Sequence, residues 1–282
     1  MNYSVILLIA FAQSAASQQV GLYSPADLAG RFGTAASDAP FTIYSLDSST
    51  SMRYQQVMSS SSFSSDASKG GWITGISFRA DEGESRITWG GTLPDIQVSL
   101  STTARQPDAL SPVFAENLGT DSTVVFGRGS ISVEMSARNG PGPATTFGIL
   151  FQKPFFYDPR DGNLLLDVRN FQGVDLQPDR HSPENPGALL DAVDQSGDGL
   201  SRIFSWDVNA PRADRIDSLG LFCSFNFTPV PEPSAVALLF LGSSAYCLIR
   251  RGVSLKLDDT GKTAGEKKNG SHSNSKNRHE SH

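Results

Sequence analysis

The side chains with the greatest capacity for chemistry in this chain are its carboxylates, which gather in two runs. Asp158, Asp161 and Asp167 form the first, and Asp191, Asp194 and Asp198 the second. Two carboxylates suffice for glycoside hydrolysis, but Asp beside Gly is also the ordinary composition of a turn. The turn is the default reading of both runs. The second run has one sharper alternative. Asp191, Asp194, Ser196 and Asp198 bring oxygen side chains close together, and calcium takes six to eight oxygen ligands. The spacing departs from the EF-hand pattern and lacks its closing Glu. Calcium is therefore the one cofactor to weigh, against a solvated hairpin turn. Nucleophilic catalysis has little to draw on. His181 is the only histidine before the C-terminal tail, it lies in a Pro-rich stretch, and no Gly-x-Ser-x-Gly elbow occurs. No catalytic residue is assigned, and the expectation is a non-enzymatic protein. Trp72, Trp89 and Trp206 could stack on sugar rings, but each lies within or beside an apolar run, where core packing is the default. Two of them exposed on one face would point to carbohydrate binding.

The elements that must position these residues read as strands. Ile96, Val98 and Leu100 alternate with polar residues. So do Ile131, Val133 and Met135; Phe147, Ile149 and Phe151; and Leu164, Leu166 and Val168. Leu219, Leu221, Cys223, Phe225 and Phe227 give the longest alternation. A period of two buries one face of a strand and wets the other. Clusters of Gly, Pro, Asp and Ser separate the runs, as at residues 81–84, 139–143 and 158–163. About ten short strands at this spacing predict an all-β fold, an antiparallel β-sandwich of jelly-roll type. A short helix is expected over residues 23–32, a Ser-rich loop over 59–69 and a longer loop over 177–196.

Charge is sparse and uneven. The net charge is -6, yet residues 18–233 carry 25 acidic against 15 basic side chains, while residues 234–282 carry 4 against 8. An acidic folded part repels a phosphate backbone, so nucleic acid is not an expected partner. There are two cysteines, Cys223 in the last predicted strand and Cys247 in an apolar segment. They are poorly placed to form a disulfide, and no cysteine-based zinc site can be built from them.

Both ends read as addresses. Val5 to Ala12 is an apolar core followed by Ser14, Ala15, Ala16 and Ser17. That is the order of a secretory signal, residues 1–17, cut between Ser17 and Gln18. The folded part then spans 18–228. Val230, Pro231, Glu232, Pro233 and Ser234 come next, then a nearly continuous apolar run from Ala235 to Ile249, expected to form one hydrophobic transmembrane helix, then Arg250 and Arg251. The run is shorter than the roughly 20 residues of a comfortable span. The arginine pair should keep its side in the cytoplasm, which leaves the folded part outside. Residues 252–282 are polar and rich in Lys, Asn, Ser, Gly and His, a composition that predicts disorder.

This order over 229–251 resembles the PEP-CTERM sorting segment of exported bacterial proteins. Several blocks of the folded part are similar to ectodomains of the same family: Arg53 to Val57, Ile73 to Arg79, Gln97 to Thr103, Phe114 to Asn117, and Tyr157 to Asp167. The chain departs from the family in continuing well beyond the basic pair. The resemblance implies recognition of the Pro-Glu-Pro motif by exosortase, a membrane transpeptidase, at the inner membrane of a cell that makes exopolysaccharide. It implies no activity for the ectodomain. The expectation is an exported cell-surface or matrix protein, held in the membrane and then processed, with polysaccharide a candidate partner. The alternatives are a carbohydrate-binding module and, less favoured, a glycoside-active enzyme.

Overall fold

The structure, a computed structural model, describes residues 19–41, 51–63, 67–81, 89–135, 146–176 and 189–230. They belong to one compact unit, Ala15–Pro231; the other unit, Met1–Ser14 with Glu232–His282, lies outside the described residues. The β-branched and aromatic runs separated by turn residues form fourteen strands among the described residues, all paired antiparallel. They are β1 (Val20–Ser24), β2 (Ala35–Ser37), β3 (Met52–Met58), β4 (Gly71–Arg79), β5 (Trp89–Thr103), β6 (Thr123–Met135), β7 (Thr146–Tyr157) and β8 (Asn163–Asn170). After these come β9 (Asp175–Leu176), β10 (Leu190–Asp194), β11 (Leu200–Ser205), β12 (Arg215–Asp217), β13 (Leu219–Leu221) and β14 (Cys223–Pro229). The fold is all-β and sandwich-like.

One sheet runs β1-β14-β4-β7 and the larger runs β12-β11-β3-β8-β5-β6, with β9 added to β5. Alternation turns Ile73, Ile76, Phe78, Phe225 and Phe227 of the first sheet inward. They share a single cluster with Val98, Leu100, Leu164, Leu166 and Val168 of the second. Phe41 closes one side of this core edge-on to Phe78 and Phe147, at 4.8 and 5.1 Å between ring centres. Edge-on contact suits the ring quadrupoles.

The outer faces of the two sheets differ. On the larger sheet, β8 is buried along nearly its whole length, because residues 104–118 fold across it. Leu110 and Phe114 of that flap pack on Val57, Leu165 and Ile203. Most polar groups beneath are paired, although Arg53 Nε and Asp167 Oδ1 are buried without a hydrogen-bond partner. Gln55 Nε2 donates to the Phe114 carbonyl at 3.1 Å, Asn117 Nδ2 to Gln55 Oε1 at 3.0 Å, and Arg53 Nη2 to Asp167 Oδ2 at 2.9 Å. The Arg53 guanidinium also lies 4.4 Å from the Phe114 ring centre. No such flap crosses the described middle of the four-stranded sheet, where Trp72, Leu150 and Phe156 are exposed.

Three expectations need correction. The long alternation from Leu219 to Phe227 is two strands in two sheets. The chain kinks at Phe222, whose N–H donates to the Asp191 carbonyl at 2.9 Å, so that β13 joins β10 and β2 while β14 joins β1 and β4. The loop expected over 177–196 contains β10. The helix expected over 23–32 is a single 3-10 turn, Ala26–Leu28, following β1.

Candidate functional site

Of the residues expected to form a sorting motif, Val230 alone is described. It continues β14 past its last strand residue, with its N–H donating to the Gly70 carbonyl at 3.2 Å. Pro231, Glu232, Pro233, Ser234, Arg250 and Arg251 lie outside the described residues, as do Ser17, Gln18 and His181.

The second Asp run is divided among three different jobs. Asp191 sits on β10, fully buried. Its Oδ2 accepts from Arg79 Nε at 2.8 Å and also from Arg79 Nη2, and its Oδ1 accepts from the Gly33 N–H at 2.8 Å. Arg79 is 1 % exposed and lies against the Phe222 ring, 3.7 Å from its centre. Its remaining N–H groups donate to the carbonyls of Leu28 at 2.9 Å and Arg31 at 2.8 Å. A guanidinium matches this set because its donors form a rigid fork. Burial nonetheless pushes the Asp191 carboxyl upward, against the lowering effect of Arg79 and Gly33. Asp194, exposed at the end of β10, accepts from Ser218 Oγ at 2.8 Å. Asp198 lies in the β10–β11 turn, where Oδ1 accepts from the Leu200 N–H at 2.8 Å and Oδ2 is buried without a partner. Its carboxyl is also pushed up, by burial first and then by Asp108, Asp194 and Asp27. Asp27 and Asp198 share the wall of a cavity of about 320 Å³ with Arg31, and Arg31 pairs with Asp27. No group of three His, Cys, Asp or Glu among the described residues is disposed to hold a metal.

The first Asp run is likewise divided. Asp158 pairs with Arg160 in the β7–β8 turn, which holds its carboxyl below the usual range. Asp167 pairs with Arg53 under the flap.

The open outer face of the four-stranded sheet is built by alternation. Because Ile73 and Phe155 point into the core, their neighbours Trp72 and Phe156 point out, and strand register sets them side by side. Their rings meet edge-on at 5.2 Å, and they are 46 % and 41 % exposed. Thr228 stands beside Trp72 on its other side. A bulge in the β4–β7 pairing follows, and then Leu150 opposite Gly75, 74 % exposed. Farther along, Tyr23 on β1 stacks on Phe222 with 6.0 Å between centres, in the same row as Ser224 and Ser77. The expectation that the tryptophans are core residues fails for Trp72 and Trp206, which are both about half exposed. They stand on different sheets, Trp72 in β4 and Trp206 just past β11. The Trp89 side chain lies outside the described residues. Sequence pattern misplaced Trp72 because an apolar residue at an outward strand position looks, by type alone, like one facing inward.

No protein-family model matches the chain, and a search of curated proteins finds no match.

Proposed function

We propose that this chain is an exported, non-enzymatic surface protein whose sandwich hangs from the membrane by its C-terminal apolar segment until it is processed at the Pro-Glu-Pro motif. The observation that carries the reading is where the chain leaves the sandwich. β14 ends at Pro229, paired with Gly71 at one end of the four-stranded sheet, immediately before the Pro-Glu-Pro residues. That exit suits a module hung by its C-terminal segment. The buried charged groups support the same reading. Arg53 with Asp167 and Arg79 with Asp191 are joined in buried pairs that link strands, and the buried Arg202 pairs with the half-buried Asp217. The finer fold assignment is a jelly roll. Counting β1, β3, β4, β5, β6, β7, β8 and β14 as strands one to eight, the sheets run 1-8-3-6 and 2-7-4-5, the order of two interleaved Greek keys. In that scheme β10 to β13 are an insertion before the last strand. Deleting residues 234–282 should release the sandwich from membrane to soluble fractions in an exporting host. Retention of that deletion in the membrane would contradict the tether.

Carbohydrate binding is the second reading. It is carried by Tyr23, half exposed in a row with the Ser224 and Ser77 hydroxyls. Retardation in native gels containing a neutral polysaccharide, lost in Tyr23→Ala, is its test. Equal mobility with and without the polymer would remove it.

A further inference from the structure

We propose that the exposed Trp72–Phe156 end of the four-stranded sheet rests on the lipid surface from which the chain emerges. The inference rests on the reading of Ala235 to Ile249 as the membrane segment. Trp72 pairs with Thr228, one residue before β14 ends at Pro229. Ala235 follows six residues later. Six residues of chain reach at most about 20 Å. An aromatic pair at this end of the sheet is thereby confined within a short distance of the bilayer, which raises its effective concentration there.

The chemistry of this end suits an interface. Trp is the side chain most at home at headgroup depth, with an apolar body and one N–H for the wet side. Phe156 and Leu150 add apolar surface on the same face, and Val230, 42 % exposed, continues it along the emerging chain. Lys153 is exposed in the bulged stretch of β7 between Leu150 and Phe156. Its stem can lie along apolar surface while its ammonium group reaches an anionic phosphate. Asp158, at this end, is neutralised by Arg160. The far end of the face lacks this combination, since Tyr23 stands there among serine hydroxyls. A sugar chain is therefore the weaker occupant for Trp72.

The test uses the full chain reconstituted into vesicles of phosphatidylcholine and phosphatidylglycerol, with brominated phosphatidylcholine as a short-range quencher of tryptophan. Quenching is expected in the parent, stronger with bromines near the headgroup than near the chain ends. Trp72→Phe should remove at least half of it, while Trp206→Phe leaves it unchanged. The depth profile uses the unmodified chain, so it decides the matter even if a variant folds poorly. A chain that floats with the vesicles after carbonate washing but shows no quenching overturns the docking and leaves the anchor standing. A chain that does not float overturns both. Emission that responds to a soluble neutral polysaccharide and not to bromine assigns the face to sugar and overturns the proposal. Emission that follows protein density in the vesicle and not bromine content assigns it to a second copy, with the same consequence.

Discussion

Arg79 and Asp191 show how far a residue's role can lie from what its neighbours in sequence suggest. Asp191 belongs by spacing to a run of loop oxygens, yet its partner is 112 residues away and the pair is fully buried. Nothing local to residues 191–198 encodes that partner, which is why a turn and a calcium loop were the available readings. Removing one member of a buried pair strands the other's charge and costs about 3–5 kcal/mol. Arg79→Ala should lower stability in urea by that amount. Arg79→Lys should recover little of it, because one ammonium cannot serve Asp191 and the carbonyls of Leu28 and Arg31 in the same planar arrangement. Asp198 makes the opposite case. Its folded-state pKa is raised above the unfolded value of 3.8, chiefly by burial. A raised carboxyl binds its proton more tightly in the folded state, so its contribution to stability falls as pH rises through the interval above 3.8. Asp198→Asn keeps an acceptor for the Leu200 N–H and removes the charge. It should melt higher than the parent at pH 7, with the difference shrinking as pH falls toward 4. An equal melting point at both pH values would contradict this account of the site.

At the scale of elements, the period-two pattern was legible wherever one face meets the core and the other meets water. Phe147 and Ile149 in β7 are buried while their neighbours Gly148 and Leu150 are exposed, as the alternation requires. What escaped reading is what breaks the period or covers a face. The kink at Phe222 changes sheet without changing alternation. β10 lies in a stretch whose Gly, Asp and Pro content resembles a loop. The flap over 104–118 has no strand pattern of its own, although it buries Leu165 on the outer face of β8. Gly119 is where the flap returns to the sheet. A Cβ there would lie 1.7 Å from the Thr102 carbonyl oxygen, a distance no side chain tolerates. Gly119→Ala should therefore cost about 2–3 kcal/mol and expose residues 104–118 to limited proteolysis before the rest of the sandwich. A variant as protease-resistant as the parent would show that the flap is held elsewhere.

At the scale of the whole molecule we propose a sandwich exported by an N-terminal signal and tethered by a C-terminal segment. β1 and β14, the first and last of the described strands, lie side by side in one sheet. One sheet's outer face is covered by the flap, while the other keeps Trp72 and Phe156 in the open. The proposed sorting segment rests on an order of residue types alone, outside the described residues. What the open face touches is not legible in the sequence, because outward strand positions obey no pattern that names a partner. The central claim is that the chain is held and then cut at Pro231, Glu232 and Pro233. It is tested most directly by intact-mass spectrometry of the protein recovered from membranes and medium of a host that has exosortase. The account predicts a mature form lacking the residues beyond the motif. It also predicts that changing all three positions to alanine leaves only the longer form, retained in the membrane. A triple variant cut and released like the parent would contradict it.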